Sequence, residues 1–317
     1  MTIHTAHQRH ERMVGFSDLP ARSVEGATYF EGAVPIERVR DELFGFSVTT
    51  VPYGYLWDRG LRTDDESFAV VREDTGELMA RVSAKYEVHQ YSDWLLDLPA
   101  EILKSSDLVI AEAATFDRGR WASIRLRVPA TLVSATVNYQ PELYVTTSHN
   151  KSHASKFKAL VLILVCSNGL MALKNSTKTV YHLKGQDEAK RQIGKVLELF
   201  AATQRHFDEL VSKLVEAPAT DRLLMEVAKA FFGVKDTAQQ GDPGHPKLEK
   251  VLDLYHNDHR CIPWQGTKFG VFQALSTYDH YFTRSDGVRW AKNSRAIAYG
   301  GREKNDQKIL KLLEQAN

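Results

Sequence analysis

Six lysines, Lys151, Lys156, Lys158, Lys174, Lys178 and Lys184, stand in a stretch from Leu143 through Gln186 that contains no Asp or Glu. Forty acids spread evenly over 317 residues would place about five or six in such a window. The stretch therefore carries +6, while the rest of the chain sets 35 cations against 40 acids. In SKFKA, Lys156 and Lys158 have the period of a strand and share a face, and Tyr144, Thr146 and Ser148 on the preceding strand present a ring and hydroxyls beside them. Such a surface suits a sugar–phosphate backbone. A second basic string interleaves Arg284, Arg289, Trp290, Lys292, Arg295, Tyr299, Arg302 and Lys304 with only Asp286 and Glu303. Cations that track phosphates, with rings such as Trp290 or Tyr144 to stack bases, are the composition of a single-strand binding groove. Lysines on a strand face also keep sheet edges soluble, so a solvated basic face or a protein-contact face would use the same residues.

Other chemistries lack their signatures. The phosphate cradles GxxxxGK[ST] and GxGxxG are absent, as are GxSxG, HExxH and CxxC, so no catalytic residue and no cofactor is implied. His256-Asn257-Asp258-His259-Arg260-Cys261 resembles a metal cluster, but Arg260 sits inside it and no second half matches it. The knot Ser148-His149-Asn150-Lys151-Ser152-His153 offers a phosphate or metal site, and equally a turn between two strands. Tyr278, Asp279 and His280 are adjacent on a helix, where neighbouring side chains diverge by about 100°. His4, His7 and His10 are spaced for a metal, yet a solvated arm would carry them as well.

The elements that position these groups follow from pattern. With 43% apolar and 26% charged residues and a net charge of +1, the composition is that of a globular protein. The longest apolar run, Ala159 to Cys166, is eight residues, far below the roughly twenty of a membrane-spanning helix. Two cysteines build no disulfide framework and no charged-then-apolar leader opens the chain, so cytoplasmic residence in a host cell is expected. Residues 1–40 read as a polar arm, 41–186 as a β-rich core and 187–317 as a helical region that packs on the same core or stands apart. FSVTTVPYGYLW, SFAVVRED and LMARVSAKYEVHQ read as antiparallel strands, the last two joined by a turn at Asp74-Thr75-Gly76. YSDWLLDLPAEILKSS reads as a helix capped by Ser92. LVIAEAATFDRGRWASIRLRVPA reads as a hairpin with Trp121, Ser123, Arg125 and Arg127 on one face and apolar residues on the other. KFKALVLILVCSNGL is too uniformly apolar to be half-exposed, and reads as a central strand or a buried helix. From Asp187, apolar spacing predicts a long amphipathic helix ending at Pro218, shorter helices over 220–232 and 246–256, one opened by Gly266-Thr267, and a terminal one around 309–313. The fold class expected is α+β.

The strings AVVREDTGELMARVSAKYEVHQY, YVTTSHNKSHASKFKALVLILVCSNGL and GTKFGVFQALSTYDHY, in this order, resemble the phage- and plasmid-borne family of domain of unknown function 932 across roughly residues 45–313. The resemblance is specific at Val82 to Gln90, Thr147 to His149 and Val165 to Leu170. It implies a mobile-element setting and carries over no catalytic residue. With the basic window it leads to an expectation of a phage or plasmid DNA-metabolism protein. Such a protein would bind single-stranded DNA, perform strand annealing and work as a homo-oligomer. Lys151, Lys156, Lys158, Lys174 and Lys178 would hold phosphates, with Arg284, Arg289, Lys292 and Arg295 as a second edge. The rival expectation is a counter-defence protein that meets a host protein and binds no nucleic acid.

Overall fold

The computed structural model describes residues 12–16, 27–164, 168–170, 177–180, 191, 193–234, 245–283 and 289–316. The fold is α+β, with strands gathered in the first half and helices from residue 193 onward. The described residues divide into two units, one of residues 1–127, 143–158 and 177–197, the other of 128–142, 159–176 and 198–317. No single boundary along the chain separates them.

The first unit holds two sheets. One contains β1 (Arg12–Phe16), β2 (Thr28–Phe30), β6 (Val109–Phe116), β7 (Trp121–Arg127), the end of β9 (Val137–Ser148) and the start of β10 (Ser155–Ile163), in the order β10-β9-β7-β6-β1-β2. β12 (Thr177–Val180) pairs with β10. Two segments of the expected N-terminal arm are thus strands of this sheet, and Met13 and Val14 are buried in it. The other sheet joins β3 (Val48–Trp57), β4 (Gly60–Arg72) and β5 (Leu78–Ser83) in sequence order, over Val48, Val70, Met79 and Val82.

The segment after β5 links the two sheets through side chains. Gln90 takes Val48 as a strand would, accepting from its N–H at 3.2 Å and donating to its carbonyl at 2.6 Å. The His89 ring lies 2.8 Å from Ser155 Oγ and stacks on Trp94 at 4.9 Å. Tyr91 is fully buried, donates to the Gly119 carbonyl at 2.8 Å and stacks on His149 at 3.9 Å. The helix that follows starts one residue before the expected cap. Ser92 already has helical backbone angles, and its hydroxyl donates to Asp93 instead. Residues Asp93–Asp97 form a π-type turn before α2 (Leu98–Lys104), α1 being Ile36–Val39. Pro99 has no N–H to give the preceding turn of this continuous helix, and the π-type turn lies directly before it.

The second unit is built around α3 (Ile193–Glu216), of which residues 198–216 belong to it. Phe207, Val211 and Leu214 pack with Val137, Tyr139, Val161 and Ile163 and with α4 (Asp221–Phe232), α5 (Pro246–Asn257), α6 (Lys268–Thr277) and α8 (Gly301–Gln315). β8 (Leu132–Ser134) and β11 (Asn168–Leu170) pair with β9 and β10. The described part of this run, Ser155–Ile163, is therefore a strand, buried over 157–163. Thr220 and Thr267 cap α4 and α6 by accepting from Leu223 N and Gly270 N. α7 (Arg289–Tyr299) lies on residues that sequence pattern reads only as a basic string. Its alternation of Ala291, Ser294, Ile297 and Ala298 as buried positions is helical, but too short in apolar residues to stand out.

Gly119 closes the β6–β7 turn at φ +83°, and a Cβ there would sit 2.7 Å from Phe46 Cζ. Gly119→Ala combines a left-handed backbone with a clash against a ring that is itself held between Tyr91 and Arg72. It is expected to destabilise the protein by about 2–3 kcal/mol in urea titration; a loss below about 0.5 kcal/mol would show that Phe46 yields freely.

Candidate nucleic-acid interface

The lysines of the acid-free window do not form one exposed face. Thr147 and Ser155 are bonded through their hydroxyls at 2.7 Å, which fixes them on one side of the sheet. Tyr144, Thr146, Lys156 and Lys158 then share the other side, as their spacing predicts. Lys158 is buried, however, and Lys156 is half-buried. Tyr144 is wholly buried, so its ring is not offered for stacking. In the β10–β12 register Lys178 pairs with Phe157, which puts it on the side opposite Lys156 and Lys158. Lys151 is exposed in the turn after β9, at φ +61°, and donates to the Arg81 carbonyl at 2.9 Å. Lys174 and Arg284 lie outside the described residues, as does the His4, His7 and His10 arm.

What the sheet carries instead is a buried polar network. Arg125 and Arg127, expected on the face opposite the apolar one, are 7% and 5% exposed. Both faces of β7 are covered. Arg125 Nε lies 3.3 Å from Glu112 Oε1, across the register of β6 and β7, and its guanidinium sits 5.5 Å from the Tyr144 ring. Tyr144 bonds Ser123 and Thr146, and Thr146 lies 2.9 Å from His153 Nε2. Trp121 stacks on Phe116 at 3.7 Å and meets the His153 ring edge-on. Burial pushes the Tyr144 phenol up to about 12, with the hydrogen bonds from Ser123 and Thr146 and the Arg125 charge acting against it. The 148–153 knot is a turn: Ser148 Oγ donates to the His153 carbonyl, and Asn150 accepts from Ser152 N.

The exposed aromatic surface lies elsewhere in the same unit, on the β3–β4 hairpin. β5 pairs with β4 only from Ser67 onward, and the β3–β4 register shifts between Pro52 and Tyr53. Beyond that bulge the tip is a two-stranded ribbon closed by Asp58 and Arg59, both at positive φ, the backbone of a two-residue type I′ hairpin turn. Tyr53, Tyr55 and Trp57 point to one face, opposite Asp64, Arg62 and Gly60. Tyr55 is 48% and Trp57 66% exposed. The Arg81 guanidinium lies over Tyr53 at 4.6 Å and binds Asp64 at 2.6 Å, and the Arg81 carbonyl receives Lys151. Hydrogen bonds from Ser67 and Glu66 N and the pair with Arg81 hold the Asp64 carboxyl below its usual range. The other face of the tip presents Leu56 opposite Leu61, which are 80% and 72% exposed. The period-two spacing Tyr53, Tyr55, Trp57 was visible in the sequence, but a strand with that face buried would show the same letters.

In the second unit Arg289 and Trp290 stand in α7, Arg295 is exposed, and Lys292 is half-buried with Nζ donating to Thr283 Oγ1 at 2.7 Å. Arg302 is buried and binds Asp279 and Asn293, so it supports the helices rather than a ligand. Asp258 takes Arg260, and His256 takes Asp221 at 2.9 Å. Among the described residues, no group of three or more His, Cys, Asp or Glu side chains is placed to hold a metal, and no helix is long and apolar enough to cross a membrane.

One family model matches, that of Domain of unknown function (DUF932), over residues 79–309. No curated protein and no solved structure matches the chain. The aromatic hairpin lies ahead of the matched stretch, whereas Tyr91, His149 and the polar network lie within it.

The phenol at Tyr144 is held neutral in the folded protein above the pH at which an exposed tyrosine, near 10, ionises. Its contribution to stability is complete below pH 10 and is lost as pH rises from there through about 12. Urea denaturation at stepped pH is expected to show this alkaline decline, and Tyr144→Phe to make it shallower. An unchanged slope in the variant would show that Tyr144 ionises freely in the folded state.

Proposed function

Taking as premise that the chain belongs to the family of domain of unknown function 932, which assigns no activity, we propose that this member binds single-stranded DNA on the aromatic face of its β3–β4 hairpin. The observation that carries this reading is the ladder of Tyr53, Tyr55 and Trp57 on one face, where Tyr55 and Trp57 are exposed and Tyr53 is half-buried beneath Arg81. Rings two residues apart on a strand are about 6.7 Å from one another. That is about twice the 3.4 Å rise of stacked bases, so the ladder fits bases of a stretched single strand and not a duplex. Arg62 opposite Tyr55, Arg59 at the apex and Lys151 at the base supply cations along it. Stacking on such rings is tolerant of sequence, because every base has a π-face. A role in phage or plasmid DNA metabolism, with annealing as its outcome, is the setting this chemistry would serve.

Compared with an array of lysines, this site contacts few phosphates and relies on rings. With about three cations engaged, affinity should fall with log salt at a slope of only about −2. Trp57→Ala and Tyr55→Ala should each weaken binding of a labelled oligothymidylate by about tenfold to a hundredfold in polarisation titrations, and Trp57 emission should be quenched in the wild type. Absence of binding at low salt, or equal binding by the double variant, would overturn the reading and leave protein contact as the hairpin's role.

A further inference from the structure

Tyr53 belongs to the aromatic ladder but does not present its own ring. The Arg81 guanidinium lies over it at 4.6 Å, and Tyr53 is half-buried beneath, whereas the Arg81 side chain is 55% exposed. The surface of this rung is therefore a guanidinium and not a phenol. Resting on the reading that the aromatic face binds single-stranded DNA, we propose that Arg81 is a stacking residue of that site: it takes a base on its outward plane and holds no phosphate.

The contacts of Arg81 suit a stacking platform. Its Nη2 donates to Asp64 Oδ2 at 2.6 Å and to Ser67 Oγ at 2.9 Å, while the Tyr53 ring lies beneath the group. Two hydrogen bonds and a ring fix the guanidinium, so little side-chain freedom remains to be lost when a base settles on it. The backbone is held as well, since β5 pairs Arg81 with Ala69 and the Arg81 carbonyl accepts from Lys151 Nζ at 2.9 Å. Guanidinium planes stack on bases as aromatic rings do, and they add a cation–π attraction. The same pairing argues against a phosphate. A carboxylate bonded to the guanidinium offsets its charge and repels an approaching anion. Phosphates are left to Arg62, Arg59 and Lys151 along the ladder. The face then consists of Trp57, Tyr55 and Arg81, two rings and a guanidinium that stands on the third ring.

Two variants of the full chain separate the plane of Arg81 from its charge. Arg81→Lys keeps a cation to pair with Asp64 and a stem to cover Tyr53, and loses the plane. It should weaken oligothymidylate binding by about fivefold or more in polarisation titrations, with the wild-type salt slope retained. The loss should appear only with oligothymidylates long enough to reach a third base. Shorter ones, held by Trp57 and Tyr55, should bind variant and wild type alike. Arg81→Met with Asp64→Asn removes both charges together and should weaken binding to a similar degree, again at an unchanged slope. A slope made shallower by about 0.7 in the double variant would show that Arg81 neutralises a phosphate. Arg81→Lys binding as tightly as the wild type would show that Arg81 only covers Tyr53, and an equal loss at every length would show a purely structural role. Any of these three results overturns the inference. Trp57→Ala keeps the two readings apart: if it weakens binding while Arg81→Lys does not, the aromatic face stands and the assignment of Arg81 falls. A wild type that binds no oligothymidylate removes both.

Discussion

Tyr91 is held from three directions, and much of the first unit depends on that arrangement. Its ring lies flat against His149 at 3.9 Å, meets Phe44 and Phe46 edge-on, and sends its hydroxyl to the Gly119 carbonyl. His149 in turn donates its backbone N–H to the Arg120 carbonyl at 2.8 Å. The end of β9, the β6–β7 turn and the entry to β3 therefore meet at one aromatic centre. Arg72 closes it from the side, with its guanidinium 3.8 Å from the Phe46 ring and a hydrogen bond to the Arg118 carbonyl. Because β3 and β4 are anchored here, the direction of the exposed hairpin is set by packing, while among the described strands the tip beyond the bulge pairs only within the hairpin. This accounts for two short strings that carry the family resemblance: YEVHQY supplies Tyr86, His89, Gln90 and Tyr91, and TSH supplies Thr147 and His149.

The polar face of the large sheet shows how a sequence rich in cations can leave few of them available. Charged side chains are seldom fully buried unless they are paired, and here Arg125 is placed against Glu112 and against the Tyr144 ring. Replacing one member of such a pair leaves a buried charge uncompensated, which costs about 3–5 kcal/mol. Replacing both by apolar groups costs far less. The network is therefore a strong constraint on which residues can coexist on β6, β7 and β9, and a weak source of stability in itself. The absence of acids from 143–186 acquires a structural meaning in the part of the window that β9 and β10 occupy: positions that face inward there take Thr, Ser, Tyr or apolar residues, and Lys158 is buried among them.

The secondary structure was legible where periodicity was strong. The β3 strand, β4 from Ser67 onward, the start of β5, the 117–120 turn, the long helix to Glu216 and the Thr267-capped helix all follow from alternation, turn residues and caps, whereas Gly60–Glu66 was not read as strand and β5 ends at Ser83, short of Gln90. The helix at 91–104 was legible, but its start was not, because a serine before an apolar run reads as a cap whether or not the chain is already helical. The candidate site was less legible. Rings and cations pointed to a stacking surface, yet the residues chosen for it included Tyr144 and Lys158, which are buried. Alternation tells which residues share a face. It says nothing of what covers the face, since that depends on segments distant in sequence. The same limit hid the hairpin: Tyr53, Tyr55 and Trp57 alternate as a core strand would, and only the end of β5 pairing at Ser67 shows why Tyr55 and Trp57 are left exposed while Tyr53 lies under Arg81.

The register shift at Pro52 gives the hairpin its two characters. Below it, β3 lies against a β4 that is covered by β5, and Val48 and Val70 are buried. Above it, three extra residues on β4, 65–67, separate the ladder of the tip from that of the base, so the tip is released from the requirement that one of its faces be core. Pro52, with no N–H, sits where the shift leaves a ladder position unused. A ribbon freed in this way can afford a polar-aromatic face and an aliphatic face at once, whereas a strand within a layered sheet must give one face to the interior. Rings that stack on bases gain from staying accessible, and leucines gain from being covered. Placing them on opposite faces of one ribbon lets either face be covered without obstructing the other.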